Sequence, residues 1–279
     1  MANIEKANQH MALVGENQYL REQVASNPGA RPVIAESPLM KKVIEDVHQI
    51  SKSNANVFIN GETGTGKEVI AHLVHYSSLR ANQPFIKVNC AAVPEALVES
   101  EFFGHEKGAF TGALNKRLGR FELADKGSLL LDEITEIPPM LQAKLLRITQ
   151  EQEFERVGGA KPVKVNVRLI STSNRDVRQA IGEKVLREDL YYRLNVVPIH
   201  LPPLRERKED ILPLAEYFID ATCRGNHLKR KTLSAESKKK LLSYQWPGNV
   251  RELANIIERA IIMDRGDKIE SGHLYLEGV

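Results

Sequence analysis

The chain has little of what would place it outside an ordinary reducing, aqueous compartment. Its 279 residues include two cysteines, Cys90 and Cys223, too few alone for a disulfide scaffold or a zinc site. Charge of one sign is missing too. Lys+Arg at 39 against Asp+Glu at 36 leaves +3, too balanced to signal nucleic-acid binding. Asp, Glu, Lys or Arg interrupts every apolar run before it reaches bilayer-spanning length. The opening MANIEKANQH lacks a basic-then-apolar targeting layout. These absences exclude secreted, membrane and structural-zinc readings, and a cytoplasmic globular protein without membrane partners is expected. Hydrophobic residues at 42% and charged residues at 27% argue against wholesale disorder. The length corresponds to about 1.9 domains.

Three stretches divide the chain. Residues 1–32 read as a linker helix in which Leu13, Leu20 and Val24 form a narrow seam, a short coiled coil or a solvated helix. The Pro/Gly-rich SNPGARP at 26–32 marks a boundary. From 33 to 203, short apolar runs alternate with helical patterns: VFIN (57–60), FIKV (85–88), SLLLD (128–132), VRLIST (167–172) and VVPIHL (196–201). Val69, Ile70, Leu73 and Val74 recur as one helix face, as do Met140, Leu141, Leu145, Leu146 and Ile148. This alternation predicts an α/β fold with a parallel sheet between helices, whose ligands bind at the carboxyl ends of the strands. After the LPPL break (201–204), residues 204–279 read as a small, wholly helical domain.

Directly after VFIN stands GETGTGK, residues Gly61, Glu62, Thr63, Gly64, Thr65, Gly66 and Lys67. Between a strand and an amphipathic helix this is the phosphate-loop arrangement. The glycines let backbone N–H groups curl around phosphate oxygens at a helix N-terminus, and Lys67 reaches the β/γ-phosphates. Glu68 stands where the general motif has Ser or Thr, so the usual hydroxyl ligand for Mg²⁺ is missing. SLLLDE ends a strand on two carboxylates at the same sheet edge. Asp132 suits the Mg²⁺ shell and Glu133 suits polarising the attacking water. Together the motifs predict nucleotide hydrolysis with Mg²⁺.

FFGHEKGAFTGA (102–113), with FERVGG (154–159), LREDLYYRL (186–194), LPPLRER (201–207) and WPGNVREL (246–253), closely resembles the central AAA+ ATPase domain of sigma-54-dependent transcription activators, the NtrC-like bacterial enhancer-binding proteins. The resemblance covers about residues 33–265, and Glu68 matches this family's own form of the phosphate loop. It implies a five-stranded P-loop AAA+ domain with a helical lid. It also implies a homo-oligomeric ring, hexameric or heptameric, that hydrolyses ATP between subunits and remodels the closed promoter complex of sigma-54 RNA polymerase to start transcription.

The resemblance further implies roles. Gly108, Ala109, Phe110, Thr111, Gly112 and Ala113 form the loop tip that touches sigma-54, with Phe110 and Thr111 in contact, and FERVGG is a second pore-side loop that moves with it. Asn89 holds the catalytic Glu133, and Asn174 is the sensor near the γ-phosphate. Arg187 and Arg193 reach the neighbour's ATP, without distinction as to which is the finger. Arg251 is the second sensor, and Val33 and Ile34 line the adenine pocket. Asn249 reads as the N-cap of the final helix. Such activators often carry a sensory domain, commonly a phosphorylatable receiver of a two-component system, and a DNA-binding helix-turn-helix. Here the chain reads as the isolated ATPase core, or as an activator working without its own DNA reader. The basic stretch Arg224–Lys240 reads as a solvated helix face. The rival readings are another AAA+ remodelling ATPase and an ATP-gated regulatory binding module.

Overall fold

A computed structural model describes residues 33–264 and 266–276; the linker helix expected over 1–32 lies outside the described residues. Helix α1 (Pro38–Ser51) starts where the Ser37 hydroxyl accepts the Met40 N–H at 3.3 Å and Pro38 takes the first turn, whose N–H groups have no helical partner. Strand β1 (Val57–Asn60) leads through the Gly-rich turn into α2 (Lys67–Tyr76), then β2 (Phe85–Asn89) and α3 (Glu95–Phe103). A single turn, α4 (Arg120–Leu123), precedes β3 (Ser128–Asp132) and α5 (Pro139–Glu151). The hairpin β4 (Glu153–Glu155) and β5 (Pro162–Lys164) is followed by β6 (Arg168–Ser173), α6 (Val177–Gly182), α7 (Glu188–Leu194) and β7 (Val197–His200).

Five strands pair in the order β2-β3-β6-β1-β7, all parallel. Side chains alternate between two cores, as the period of a strand requires. Val57, Ile59, Leu130 and Ile170 face Met40, Val47, Ile70 and Val74 of α1 and α2. Phe58, Leu129, Leu131 and Leu169 face Phe102, Phe121, Leu145 and Leu190 on the other side. Burial on both faces explains why these strands read as continuous apolar runs. Met140, expected on the buried face of α5, is exposed; Leu141, Leu145 and Ile148 carry that face.

Beyond β7, α8 (Ile211–Gly225), α9 (Ala235–Ser243) and α10 (Asn249–Met263) enclose a third core around the fully buried Trp246. This part is not wholly helical: β8 (Thr232–Leu233) pairs in parallel with β9 (Lys268–Ile269). The basic stretch keeps its basic residues solvated, as expected, apart from the buried Lys231, but it is not one helix face: it runs from the end of α8 through β8 into α9. Arg230 pairs with Glu216 and Asp220, Lys229 with Asp267, and the buried Lys231 donates to the Asp264 carbonyl. No helix among the described residues is long and apolar enough to cross a membrane.

Candidate active site

The site forms at the carboxyl edge of the sheet, where β1, β3 and β6 end side by side. β1 opens into Gly61–Gly66, and Gly66, left-handed at φ 103°, swings the chain into α2. Lys67 is 7% exposed. Its Nζ donates to the Gly61 and Glu62 carbonyls at 2.9 and 3.2 Å and stands 3.7 Å from Glu133 Oε1. Burial lowers its pKa, with Glu133 and Asp132 opposing.

β3 delivers Asp132, and Glu133 follows in the left-handed region at φ 56° and ψ 58°, a conformation that costs a non-glycine residue about 1–3 kcal/mol. Thr172 on β6 holds this turn. Its hydroxyl accepts the Glu133 N–H at 3.0 Å and donates to Asp132 Oδ1 at 2.7 Å. Asn174 completes the link across the edge: its N–H donates to Glu133 Oε2 at 3.1 Å and its Nδ2 to Thr63 Oγ1 at 3.0 Å. Lys67, Glu133, Asn174 and the phosphate loop are thus one connected set.

Glu68 points to the same edge. Lys87 on β2 lies 2.7 Å from its Oε2 and 3.5 Å from Asp132 Oδ2. Hydrogen bonding to His72, followed by Lys87, brings the Glu68 pKa down to about 2 against desolvation. Among the described residues no cluster of three or more His, Cys, Asp or Glu forms a metal cage. A single strand-end carboxylate is nevertheless the protein share that Mg²⁺ takes when phosphates supply further oxygens, so Asp132 fits that ion.

Asn89 also ends at this edge, in register with Asp132, but its Oδ1 accepts the Ala91 N–H at 3.0 Å; Glu133 is held by Lys67 and Asn174. Arg251, in the first turn of α10, lies against the phosphate loop, its N–H 3.3 Å from the Gly64 carbonyl, and its charge lowers the Lys67 pKa. Val33 packs on the α1/α2 core and Ile34 on the lid core, so the pair straddles the seam between them.

Arg187, the N-cap residue of α7, and Arg193, in its last turn, are both exposed. Arg187 lies toward the carboxyl ends of the strands, with its N–H on Gln142 Oε1 and its guanidinium bidentate to Asp189 at 3.0 and 2.7 Å. Arg193 lies toward the amino ends, donating to the Thr149 carbonyl at 3.1 and 3.0 Å. It borders a cavity of about 420 Å³ that also includes Asn56, Arg80 and Asn166.

GAFTGA forms the tip of an excursion closed by the antiparallel bridge His105↔Arg117. The Gly108 N–H donates to the Ala113 carbonyl at 2.8 Å, and the Ala113 N–H to the Phe110 carbonyl at 3.0 Å. Ala113 is buried, whereas Phe110 is 39% exposed and sits edge-on against His105 with centroids 5.0 Å apart. The FERVGG segment abuts it: a Cβ on Gly158 (φ 73°) would stand 2.7 Å from Ala109 Cβ. Arg156 ties Glu106, at 2.8 Å, to Glu122.

Sequence reasoning missed the lid's grip on the phosphate loop. Arg205 holds Glu62 bidentately at 2.9 and 2.6 Å, which keeps the Glu62 carboxyl below its usual range. Arg207 Nη2 donates to the Thr65 carbonyl at 2.6 Å. Asn249 is not the N-cap of α10: Gly248 occupies that position, its N–H satisfied by Glu252 Oε2 at 2.8 Å. The Asn249 side chain reaches the loop instead. The segments LPPLRER and WPGNVREL signalled these residues, but not which atoms more than 140 positions away they meet.

The family model described as the Sigma-54 interaction domain matches residues 33–200, and that described as the AAA+ ATPase lid domain matches 205–277. Transcriptional regulatory protein FlbD of Caulobacter vibrioides is 55% identical over 240 residues, 86% of this chain and 53% of that protein. Regulatory protein AtoC of Escherichia coli is 48% identical over 271 residues, 97% of this chain and 59% of that protein. The crystal structure of NtrX from Brucella abortus in complex with ADP superposes with a TM-score of 0.82 at 34% identity, covering 98% of this chain and 61% of that one. The chain therefore spans a little over half the length of these relatives.

Proposed function

The chain belongs to the sigma-54 interaction domain family, with an AAA+ lid, and from that premise we propose that it hydrolyses ATP and uses the energy to remodel sigma-54 RNA polymerase at a promoter. The observation that carries the hydrolytic part is the pairing of Lys67 with Glu133 at 3.7 Å, with Asn174 joining that carboxylate to the phosphate loop. Phosphates bound at the loop meet the N-terminus of α2, and Lys67 turns from the Gly61 and Glu62 carbonyls toward the β/γ-oxygens. Glu133, held at a strained backbone position by Thr172, accepts the proton of the attacking water. Asn174 senses the γ-phosphate through the same hydrogen bonds that reach Glu133.

Asp132 would hold Mg²⁺, which when bound would supply charge neutralisation to the triphosphate. Arg251 adds charge from the lid, Val33 and Ile34 border the base, and Asn89 acts on Glu133 only after a rotation away from Ala91. Arg187 and Arg193, exposed beside α7, serve a neighbouring subunit's ATP in a ring. Phe110 and Thr111 at the tip contact sigma-54, with the FERVGG turn moving alongside. The Nif-specific regulatory protein of Azotobacter vinelandii, 50% identical over 265 residues, supports a regulatory setting. DNA binding then belongs to a domain other than the two matched here.

Phe110→Ala tests the coupling. The variant is expected to hydrolyse ATP within about twofold of wild type, because Phe110 stands outside the connected catalytic set, yet to give no open complexes with sigma-54 polymerase on a heteroduplex-free promoter. Open complexes at the wild-type rate would overturn the assignment of the loop.

A further inference from the structure

A phosphate loop works only if its N–H groups point inward, and nothing in the loop's own sequence enforces that at every peptide. Each carbonyl is antiparallel to the N–H of the next residue in the same rigid plane. A plane whose carbonyl is tied outward therefore presents its N–H to the phosphate side.

Two side chains from outside the loop tie such carbonyls. Asn249 Nδ2 donates to the Thr63 carbonyl at 3.0 Å and to Glu62 Oε2 at 3.1 Å, while its Oδ1 accepts the Leu204 N–H at 2.7 Å. Arg207 Nη2 holds the Thr65 carbonyl. The planes so oriented carry the N–H groups of Gly64 and Gly66. Both side chains are buried, Asn249 at 0% and Arg207 at 3% exposure, so water does not compete for these bonds.

The backbone supports the same conclusion. Asn249 sits at φ 53°, left-handed and buried, in a turn whose Trp246 is also left-handed at φ 53° and anchored by its Nε1 on the Leu241 carbonyl at 2.9 Å. Strain of this kind persists where the surroundings over-determine it. Here it aims one carboxamide at two segments, the inter-domain linker and the loop. Gly64 (φ 78°) completes the fit, because a Cβ there would run into the Gly248 carbonyl.

We propose that Asn249, assisted by Arg207, is a positioning residue that sets the peptide planes of the phosphate loop and so makes nucleotide affinity depend on the seating of the lid. The proposal rests on the nucleotide reading above. Asn249→Gly tolerates the positive φ and removes the side chain. Asn249→Asp keeps the acceptor for Leu204 but loses the donor to the loop. Ser237→Ala breaks a buried lid bond to the Ile269 carbonyl (2.7 Å) remote from the loop.

Equilibrium titration of the full chain with N-methylanthraniloyl-ADP is the test, with steady-state ATP kinetics alongside. Both Asn249 variants are expected to bind about tenfold more weakly, the scale of one or two lost hydrogen bonds, with KM raised and kcat at saturation held. Ser237→Ala is expected to lower the thermal midpoint and leave affinity unchanged. Wild-type affinity in both Asn249 variants would overturn the proposal and leave the nucleotide reading standing. So would an equal loss in Ser237→Ala, which would make the effect one of lid stability. A wild-type chain that does not bind the analogue would overturn both.

Discussion

Thr172 shows how much of the site one hydroxyl organises: it accepts from Glu133 and donates to Asp132, so the two strand-end carboxylates are oriented by a neighbouring strand. The acids themselves were legible, because Asp132, Glu133 and Lys67 stand in contiguous motifs. Thr172 was not, since it is one hydroxyl in a strand rich in them and its partners lie 39 and 40 positions away. A second buried polar group gives a prediction at this scale. His75 is fully buried, with Nδ1 2.9 Å from Ser128 Oγ, and burial lowers its pKa from 6.5 to about 4. Between those values the unfolded chain takes up a proton that the folded chain resists. Stability is therefore fully present above pH 6.5 and is lost as pH falls toward 4, by on the order of 3 kcal/mol. The thermal midpoint of wild type should fall across that window more steeply than that of His75→Gln; equal slopes would contradict the assignment.

Among elements, the central strands β1, β3 and β6 were legible almost to the residue because burial on both faces demands unbroken apolar runs, while the edge strand β7 buries only Ile199. The pairs β4/β5 and β8/β9 were not legible. Two or three residues carry no periodicity, and their existence depends on tertiary packing around the second loop and the lid. Met140 was misplaced for another reason: it shares the outward helix face with the exposed Lys144 and Arg147, whereas Leu141 beside it is buried. The GAFTGA excursion and the FERVGG turn meet at several points, among them the His105↔Val157 bridge, the Arg156–Glu106 pair and, nearest the tip, Gly158 on Ala109. Gly158→Val places a β-branched side chain at φ 73° against Ala109, and is expected to cost about 1–3 kcal/mol. It should also expose residues 105–117 to limited proteolysis while ATP turnover persists. Unchanged cleavage would show that the Gly158–Ala109 contact does not hold the tip.

For the whole molecule, the described residues form an α/β body that carries the linked Lys67, Glu133 and Asn174 and a largely helical lid that grips the phosphate loop through Arg205, Arg207 and Asn249. That grip links residues 142 to 187 positions apart, which is why no local pattern announced it. Arg187 and Arg193 are exposed, and their guanidinium groups meet Asp189 and the Thr149 carbonyl rather than their own chain's Lys67 or Glu133. If they act on a neighbour, catalytic halves from different chains must complement. The most direct measurement is ATP turnover on mixing two inactive variants, Glu133→Gln and the double variant Arg187→Ala/Arg193→Ala. The first lacks the base and the second the arginines, and each retains what the other has lost. Each alone is expected to be inactive and the mixture to regain turnover, rising with total protein concentration as shared interfaces form. A mixture as inactive as its components, with both variants assembled by sedimentation, would contradict hydrolysis between subunits.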